Sequence, residues 1–246
     1  MGVNRHMKIM NVGDRIMNTW VCEGPDGYIM IDTGYPEKMK SVEKRLKRYG
    51  IDWTDIRYVF LTHAHDDHAG FLNELMTEYR HIKVILNPAS LPVLRKGQNP
   101  FEGGCSTFGA WLFCRCMNLW GKGKHLFPPL SDRFDDRLMM IDERTRPKLE
   151  KIFGGRILFT PGHTGDSISL RIGKRIFIGD AAMNGYPSSH RVTIWVENTD
   201  EFGRSWDLLT AEKAELLYPA HGKPFASEDL VRNRDFISRV KVYPLK

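Results

Sequence analysis

Between positions 60 and 70 the chain reads Phe-Leu-Thr-His-Ala-His-Asp-Asp-His-Ala-Gly, which places His63, His65, Asp66, Asp67 and His68 within six residues. Imidazole and carboxylate are ligands that a borderline cation such as zinc accepts. Side chains two apart in an extended segment point the same way, so His63 and His65 can grip one ion together. Asp67 and His68 follow on the turn, where they can face a second ion a few ångströms away. The cluster is internal, follows an apolar run and mixes acids with histidines, unlike a terminal tag or a solvated histidine patch.

Single residues of the same types recur where other apolar runs end. His163 lies in Pro161-Gly162-His163-Thr164, Asp180 in Gly179-Asp180, His221 in Pro219-Ala220-His221-Gly222, and Asp32 in Asp32-Thr33-Gly34. One histidine beside a strand is usually structural, but repeated placement at strand exits is where open α/β sheets gather ligands. Asp32 is expected to accept the free ring N–H of a ligand histidine; the competing reading is a turn-forming aspartate. His6, His81, His125 and His190 lack such a setting and read as surface residues.

The elements that would position these side chains alternate. Residues 15–31 predict one or two antiparallel strands, turning at Pro25-Asp26-Gly27. A helix over 36–49 carries Met39, Val42, Leu46 and Tyr49 on one stripe, with Gly50 past its end. A strand over 58–62 delivers the histidine loop, a helix spans 71–79, and a strand covers 82–86. Later come a strand at 156–160, a hairpin of 167–172 with 175–178, a helix at 208–213, a strand at 215–218 and a closing helix over 227–240. Strands alternating with helices argue for a layered α/β domain with mixed sheets.

The pattern breaks over 97–151, which reads as an insertion into a single domain spanning 1–246. Its first part is crowded with bulky apolar groups, including Phe108, Trp111, Leu112 and Trp120, bracketed by glycines like hinges. Long insertions in compact domains are often functional, so these four are expected to form a lid or substrate wall. A helix packed on the core, or a contact in a homodimer, would use the same residues.

With 41% hydrophobic and 27% charged residues in 246, the composition is that of a soluble globular protein. No window approaches the roughly 18 uninterrupted apolar residues of a membrane helix, and the first ten residues lack a secretory apolar centre. A cytoplasmic protein without membrane insertion is expected. The net charge of +6 is scattered along helices such as 38–48, and only Lys122 and Lys124 sit in a glycine-rich setting. Nucleic acid is therefore not the expected partner. Cys22, Cys105, Cys114 and Cys116 show no CxxC spacing and read as reduced thiols, the last two as packing residues.

Taken together, the chain resembles the metallo-β-lactamase superfamily of metallohydrolases. His63-Ala-His65-Asp-Asp67-His68 is similar to the family's HxHxDH, Pro161-Gly-His163-Thr to its second histidine segment, Gly179-Asp180 to its bridging aspartate, Ala220-His221-Gly to its last histidine, and Asp32-Thr33-Gly34 to its early turn. The resemblance implies an αββα sandwich of two mixed sheets flanked by helices, with a dinuclear centre in the cleft at the sheet edges. It implies that His63, His65 and His163 hold one divalent ion, that Asp67, His68 and His221 hold the other, and that Asp180 bridges them. Each ion would keep an open position for water, as catalytic sites do. A hydroxide held between two cations, with Asp67 and Asp180 beside it, would be the nucleophile. Zinc is the expected metal, and iron or manganese would suit the same ligands.

Subfamily features narrow the reaction only by exclusion. Asp180 is followed by Ala181, Ala182 and Met183 rather than the tyrosine of homoserine-lactone lactonases. The histidine at 65 differs from the HxExD of diiron flavoproteins, and the Gly-rich start of the tRNA-processing nucleases is missing. The expected activity is hydrolysis of an ester, thioester or lactone of a small, partly apolar molecule. The alternatives are a phosphodiesterase or nuclease, favoured by basic charge, and an oxygen or sulfur redox protein of the same fold.

Overall fold

The computed structural model describes residues 7–24, 26–119, 121 and 123–245; Pro25, Trp120, Lys122 and His6, all named above, lie outside the described residues. Strands β1 (Ile9–Asn11), β2 (Trp20–Gly24) and β3 (Gly27–Ile31) precede helix α1 (Met39–Arg48). Then come β4 (Ile56–Phe60), α2 (Leu72–Glu78), β5 (Lys83–Leu86), α3 (Ser90–Lys96), β6 (Gly104–Cys105) and α4 (Phe108–Leu119). β7 (Leu138–Met140), α5 (Arg146–Phe153), β8 (Gly155–Phe159), β9 (Ile168–Ile172) and β10 (Arg175–Gly179) follow. The order ends with β11 (Trp195–Val196), α6 (Thr199–Ala211), β12 (Leu216–Pro219), β13 (Phe225–Ala226) and α7 (Glu228–Asn233).

Six strands form one sheet in the order β1-β2-β3-β4-β5-β7, and five form another in the order β13-β12-β10-β9-β8. Both mix parallel and antiparallel pairs. Alternation along each strand sorts its side chains into two layers. In the first sheet Val21, Met30, Val59 and Val84 pack under α1 and α2 against Leu46, Leu72 and Leu75. Their neighbours Cys22, Ile29, Ile31, Phe60 and Ile85 face Ile157, Ile168, Leu170 and Phe177 of the second sheet. Ile176, Ile178 and Leu217 on the far side meet Phe202, Trp206 and Leu209 of α6. The result is helix, sheet, sheet, helix: the αββα sandwich that the resemblance implies. Burying a side chain such as Phe60 contributes about 1.5–3 kcal/mol, so the middle layer holds the two sheets, and the loops at their edges, in fixed relation.

Three elements differ from expectation. The stretch 97–151 is not one insertion, because β7 pairs in parallel with β5 (Val84 opposite Leu138) and α5 adds Leu149 and Phe153 to the layer between the sheets. α6 begins at Thr199 rather than 208, since the Asn198 side chain accepts the backbone N–H of Asp200 and Glu201 and caps it. The closing helix is shorter than predicted: α7 gives way to a 3₁₀ turn over Arg234–Arg239. All four cysteines are free thiols, but Cys116 is exposed on α4 and Cys114 half-buried, so neither is a core packing residue. Among the described residues no helix is long and apolar enough to cross a membrane.

Candidate metal centre

β3 and β4 run parallel with Ile31 opposite Phe60, so Asp32 and the segment Thr62 to His68 leave the first sheet at one edge. β10 and β12 are parallel with Gly179 opposite Pro219, so Asp180 and His221 leave the second sheet together. Cross-links join the two edges: Ile168 N–H donates to Thr62 O at 2.8 Å, and the Trp20 indole donates to Pro219 O at 2.9 Å. At Gly179, φ is +51° and a Cβ would lie 2.5 Å from Thr62 Oγ1. Only glycine allows the edges to close this far.

That closure brings all seven expected ligands together. His163 Nε2 lies 3.1 Å from His63 Nε2 and 3.2 Å from His65 Nδ1. His221 Nε2 is 3.1 Å from Asp67 Oδ2, and His68 Nε2 is 3.7 Å from Asp67 Oδ1. Asp180 sits between the two groups, with Oδ2 3.5 Å from His163 Nε2 and 3.6 Å from His221 Nε2, and Oδ1 3.8 Å from His68 Nε2. Three sets, His63 with His65 and His163, His63 with His68 and Asp180, and Asp67 with His68 and His221, each have ligand atoms within 4.8 Å of one another and could hold a cation.

The outward ring atoms decide which way the inward lone pairs face. His163 Nδ1 donates to Trp195 O at 2.8 Å and His221 Nδ1 to Ile16 O at 2.7 Å. A carbonyl only accepts, so Nδ1 carries the hydrogen in both rings and the neutral Nε2 is a bare lone pair. His68 Nδ1 donates to Asp32 Oδ2 at 2.8 Å, with the same effect. His63 Nδ1 lies 3.2 Å from Thr62 Oγ1, whose own hydrogen goes to Asp32 Oδ2 at 2.8 Å. Lone pairs therefore converge on a buried space in which His68 Nε2 and Asp180 Oδ1 have no hydrogen-bond partner among the described residues. Buried polar atoms are almost always satisfied, and a divalent cation is the group that this donor set fits.

Electrostatics separates the two groups. Burial holds His63 well below its ordinary value and His65 down to about 3. At His163 burial outweighs Asp180 and leaves the pKa at about 4. These rings are neutral and ready to ligate. Burial also pushes His68 and His221 down, but Asp32 and Asp67 lift His68 to about 9, and Asp180 with Asp67 lifts His221 to about 10. Burial would raise Asp67, yet His68 and His221 outweigh it and hold the carboxyl well below its usual range. The carboxylates that draw these two values up would favour a cation at the same place.

Asp32 does more than shape a turn. Buried, and at φ +60°, it accepts Thr62 N–H at 2.7 Å as well as the Thr62 hydroxyl and His68. By contrast, the aromatic residues of α4 are not brought to the histidine loops. Phe108 stacks on Trp111 and edges Tyr243, Trp111 donates to Pro244 O, and Leu112 is half-exposed; Trp120 is outside the described residues. What that stretch does send to the histidine loop is Asn99 and His125, both bonded to Asp66. His125 is thus not the plain surface residue expected. His81 also departs from expectation, being half-buried with Nε2 against the carbonyls of Trp53 and Ile56. Asp166, three positions past His163, was not anticipated: its Oδ2 accepts Ala64 N–H at 3.0 Å and the Ser90 hydroxyl at 2.6 Å, pinning the His63 to His65 segment. A second carboxylate so close to His163 is the signal that could have marked it.

The family model described as the metallo-beta-lactamase superfamily matches residues 12–221. A beta-lactamase-like protein 2 homolog of Caenorhabditis elegans is 22% identical over 207 residues, covering 83% of this chain and 55% of that protein. YobT of Bacillus subtilis is 26% identical over 96 residues, 36% of this chain and 40% of its own. The chain thus spans about half the length of these curated relatives. Among solved structures, a metallo-beta-lactamase with a HARLDQ motif from Cronobacter sakazakii superposes with a TM-score of 0.66 at 20% identity, covering 94% of this chain and 83% of its own. An archaeal superfamily protein from Sulfolobus tokodaii gives 0.60 at 18% identity, with 95% and 86% covered. At these identities the likeness is one of fold.

Proposed function

We propose that this chain, which belongs to the metallo-β-lactamase superfamily and is an enzyme of that family, holds two divalent cations and hydrolyses an ester, thioester or lactone of a small, partly apolar molecule. His63, His65 and His163 would hold one cation, Asp67, His68 and His221 the second, and Asp180 would serve both. The observation that carries this reading is the convergence of imidazole lone pairs on a space shared with Asp180, 3.5 Å from one group and 3.6 Å from the other. When bound, the cations supply Lewis acidity and bring the pKa of water toward about 7. Zinc fits a set of histidines and carboxylates best, with iron and manganese as substitutes.

The chain's own residues supply the rest. Asp67 and Asp180 offset cationic charge and keep the two positions adjacent. Asp32, Trp195 O and Ile16 O hold ring N–H groups outward, which preserves the ligating tautomers. Half-exposed Phe101, Phe108, Leu112 and Leu126 lie on the excursion between residues 99 and 127 and offer an apolar surface for an acyl group or a second copy of the chain.

A panel of ester, thioester, lactone and bis-aryl phosphodiester substrates under one metal tests the reaction class. Acyl substrates with apolar tails should be turned over fastest, with little effect of salt, because no polyanion is gripped. Preference for the phosphodiester, falling steeply with salt, would instead assign a nuclease-like activity.

A further inference from the structure

Asp66 lies between two proposed ligands, His65 and Asp67, yet its hydrogen bonds run away from them. Asn99 Nδ2 donates to Asp66 Oδ1 at 2.8 Å, and Asp66 N–H returns a bond to Asn99 Oδ1 at 2.7 Å. His125 Nδ1 lies 3.2 Å from Asp66 Oδ1 and 3.3 Å from Oδ2. The ring closes through the backbone, where Asn99 N–H donates to His125 O at 3.1 Å and Phe127 N–H to Gly97 O at 2.9 Å. Both ends of the excursion that carries α4 are thereby fastened to the histidine loop at one carboxylate.

A fastener alone does not explain an imidazole. The His125 side chain is 42% exposed and Asp66 15%, and an ion pair this open contributes little to stability. His125 also stands at φ +44°, a left-handed backbone that disfavours any residue with a side chain. A lysine could make the same pair with an extended reach and no such constraint. What the arrangement does provide is an imidazole oriented through Nδ1 by a half-buried carboxylate, which leaves Nε2, without a hydrogen bond among the described residues, available at a half-open position beside the metal loop. The Phe101 ring, with centroid 6.1 Å away, flanks it edge-on.

We propose that His125, oriented by Asp66, donates the proton to the leaving group of the substrate. This rests on the hydrolase reading above and names a residue it lacks, since the candidate carboxylates Asp67 and Asp180 are committed to cations and cannot donate. For a substrate R–CO–X–R′, where X is oxygen or sulfur, a water oxygen becomes bonded to the acyl carbon and the C–X bond breaks with its electron pair going to X. The proton that X needs comes from Nε2–H of the His125 imidazolium, which becomes neutral imidazole, and the proton shed by the attacking water restores the imidazolium. Acid, alcohol or thiol, and His125 in its starting state are the products. The hydrogen bond that His125 donates to Asp66 raises its pKa against the opposing effect of burial, and Asp67 and Cys114 act with the same sign.

The test uses metal-loaded protein and two esters of one acid, a 4-nitrophenyl ester whose leaving group needs no proton and an ethyl ester whose leaving group does. His125→Gln should lower kcat/KM on the ethyl ester about 10²-fold more than on the nitrophenyl ester, the scale of general acid catalysis, with metal content per chain unchanged by elemental analysis. Asp66→Asn should show the same skew in smaller degree, and it decides the matter should His125→Gln fail to fold. Equal losses on both esters, or no loss on either, would make His125 a positioning residue for the excursion and overturn the proposal. Wild-type protein that carries its metals and cleaves no ester, thioester or lactone of the panel would overturn the hydrolase reading, and this proposal with it.

Discussion

Asp32 Oδ2 lies 2.8 Å from His68 Nδ1, and the two side chains, 2% and 0% exposed, form an enclosed pair directly behind the cleft. The same carboxylate binds both the backbone and the hydroxyl of Thr62, so one residue at the end of β3 sets the ring of His68 and the start of the histidine loop together.

Asp32→Asn should weaken this support sharply, because an amide places an N–H where Thr62 Oγ1 and His68 Nδ1 both need an acceptor. Metal affinity, measured by competition with a chelator, is expected to fall about tenfold or more. Unchanged affinity and activity would reduce Asp32 to a turn residue.

Stability of the metal-free protein should peak near neutrality and fall on both sides. His68 and His221, lifted to about 9 and about 10 from 6.5, stabilise fully below 6.5 and lose that contribution as pH rises through their folded values. His65 and His163, lowered to about 3 and about 4, stabilise above 6.5 and lose their contribution as pH falls toward those values. Thermal melts across this range check the shape. Saturating zinc should flatten the alkaline limb, because it displaces the protons of His68 and His221. A metal-free melting temperature that climbs steadily above 6.5 would contradict this assignment.

Gly179→Ala puts a methyl group 2.5 Å from Thr62 Oγ1 at a φ of +51°. The two sheet edges must separate, at a cost of about 1–3 kcal/mol read from the denaturant midpoint. A change within about 0.5 kcal/mol would mean that the edges are not held in contact here.

Much of this centre was legible in the chain because its ligands follow apolar runs that are unmistakable as strands: His63 after β4, Asp180 after β10, His221 after β12. Their proximity came from the resemblance rather than from periodicity. The support around them was harder to read. Trp195 and Ile16 act through backbone carbonyls, which have no side-chain signature, and the pairing of Asp66 with Asn99 and His125 joins residues far apart in sequence. β7 escaped notice because three residues behind the charged turn Asp132–Arg137 carry too little pattern to show a strand. The start of α6 was hidden because its first turn, Thr199 to Glu201, is polar and its cap is a single asparagine.

Replacing residues 108–123 with a short linker, while keeping β6 and its pairing with β11, should leave metal content unchanged. Turnover of acyl substrates with apolar tails should drop by about tenfold or more, the loss of a few apolar contacts at 1.4 kcal/mol per decade. A variant that is fully active but changes from dimer to monomer would assign α4 to a contact between copies.

The two groups of side chains are each proposed to bind one cation. Elemental analysis of protein reconstituted with excess zinc and freed of loose metal tests this most directly. The expected result is about two ions per chain, falling to about one in both His163→Ala and His221→Ala, each of which removes a ligand from a different group. A value that stays at one in the wild-type protein would contradict the dinuclear centre.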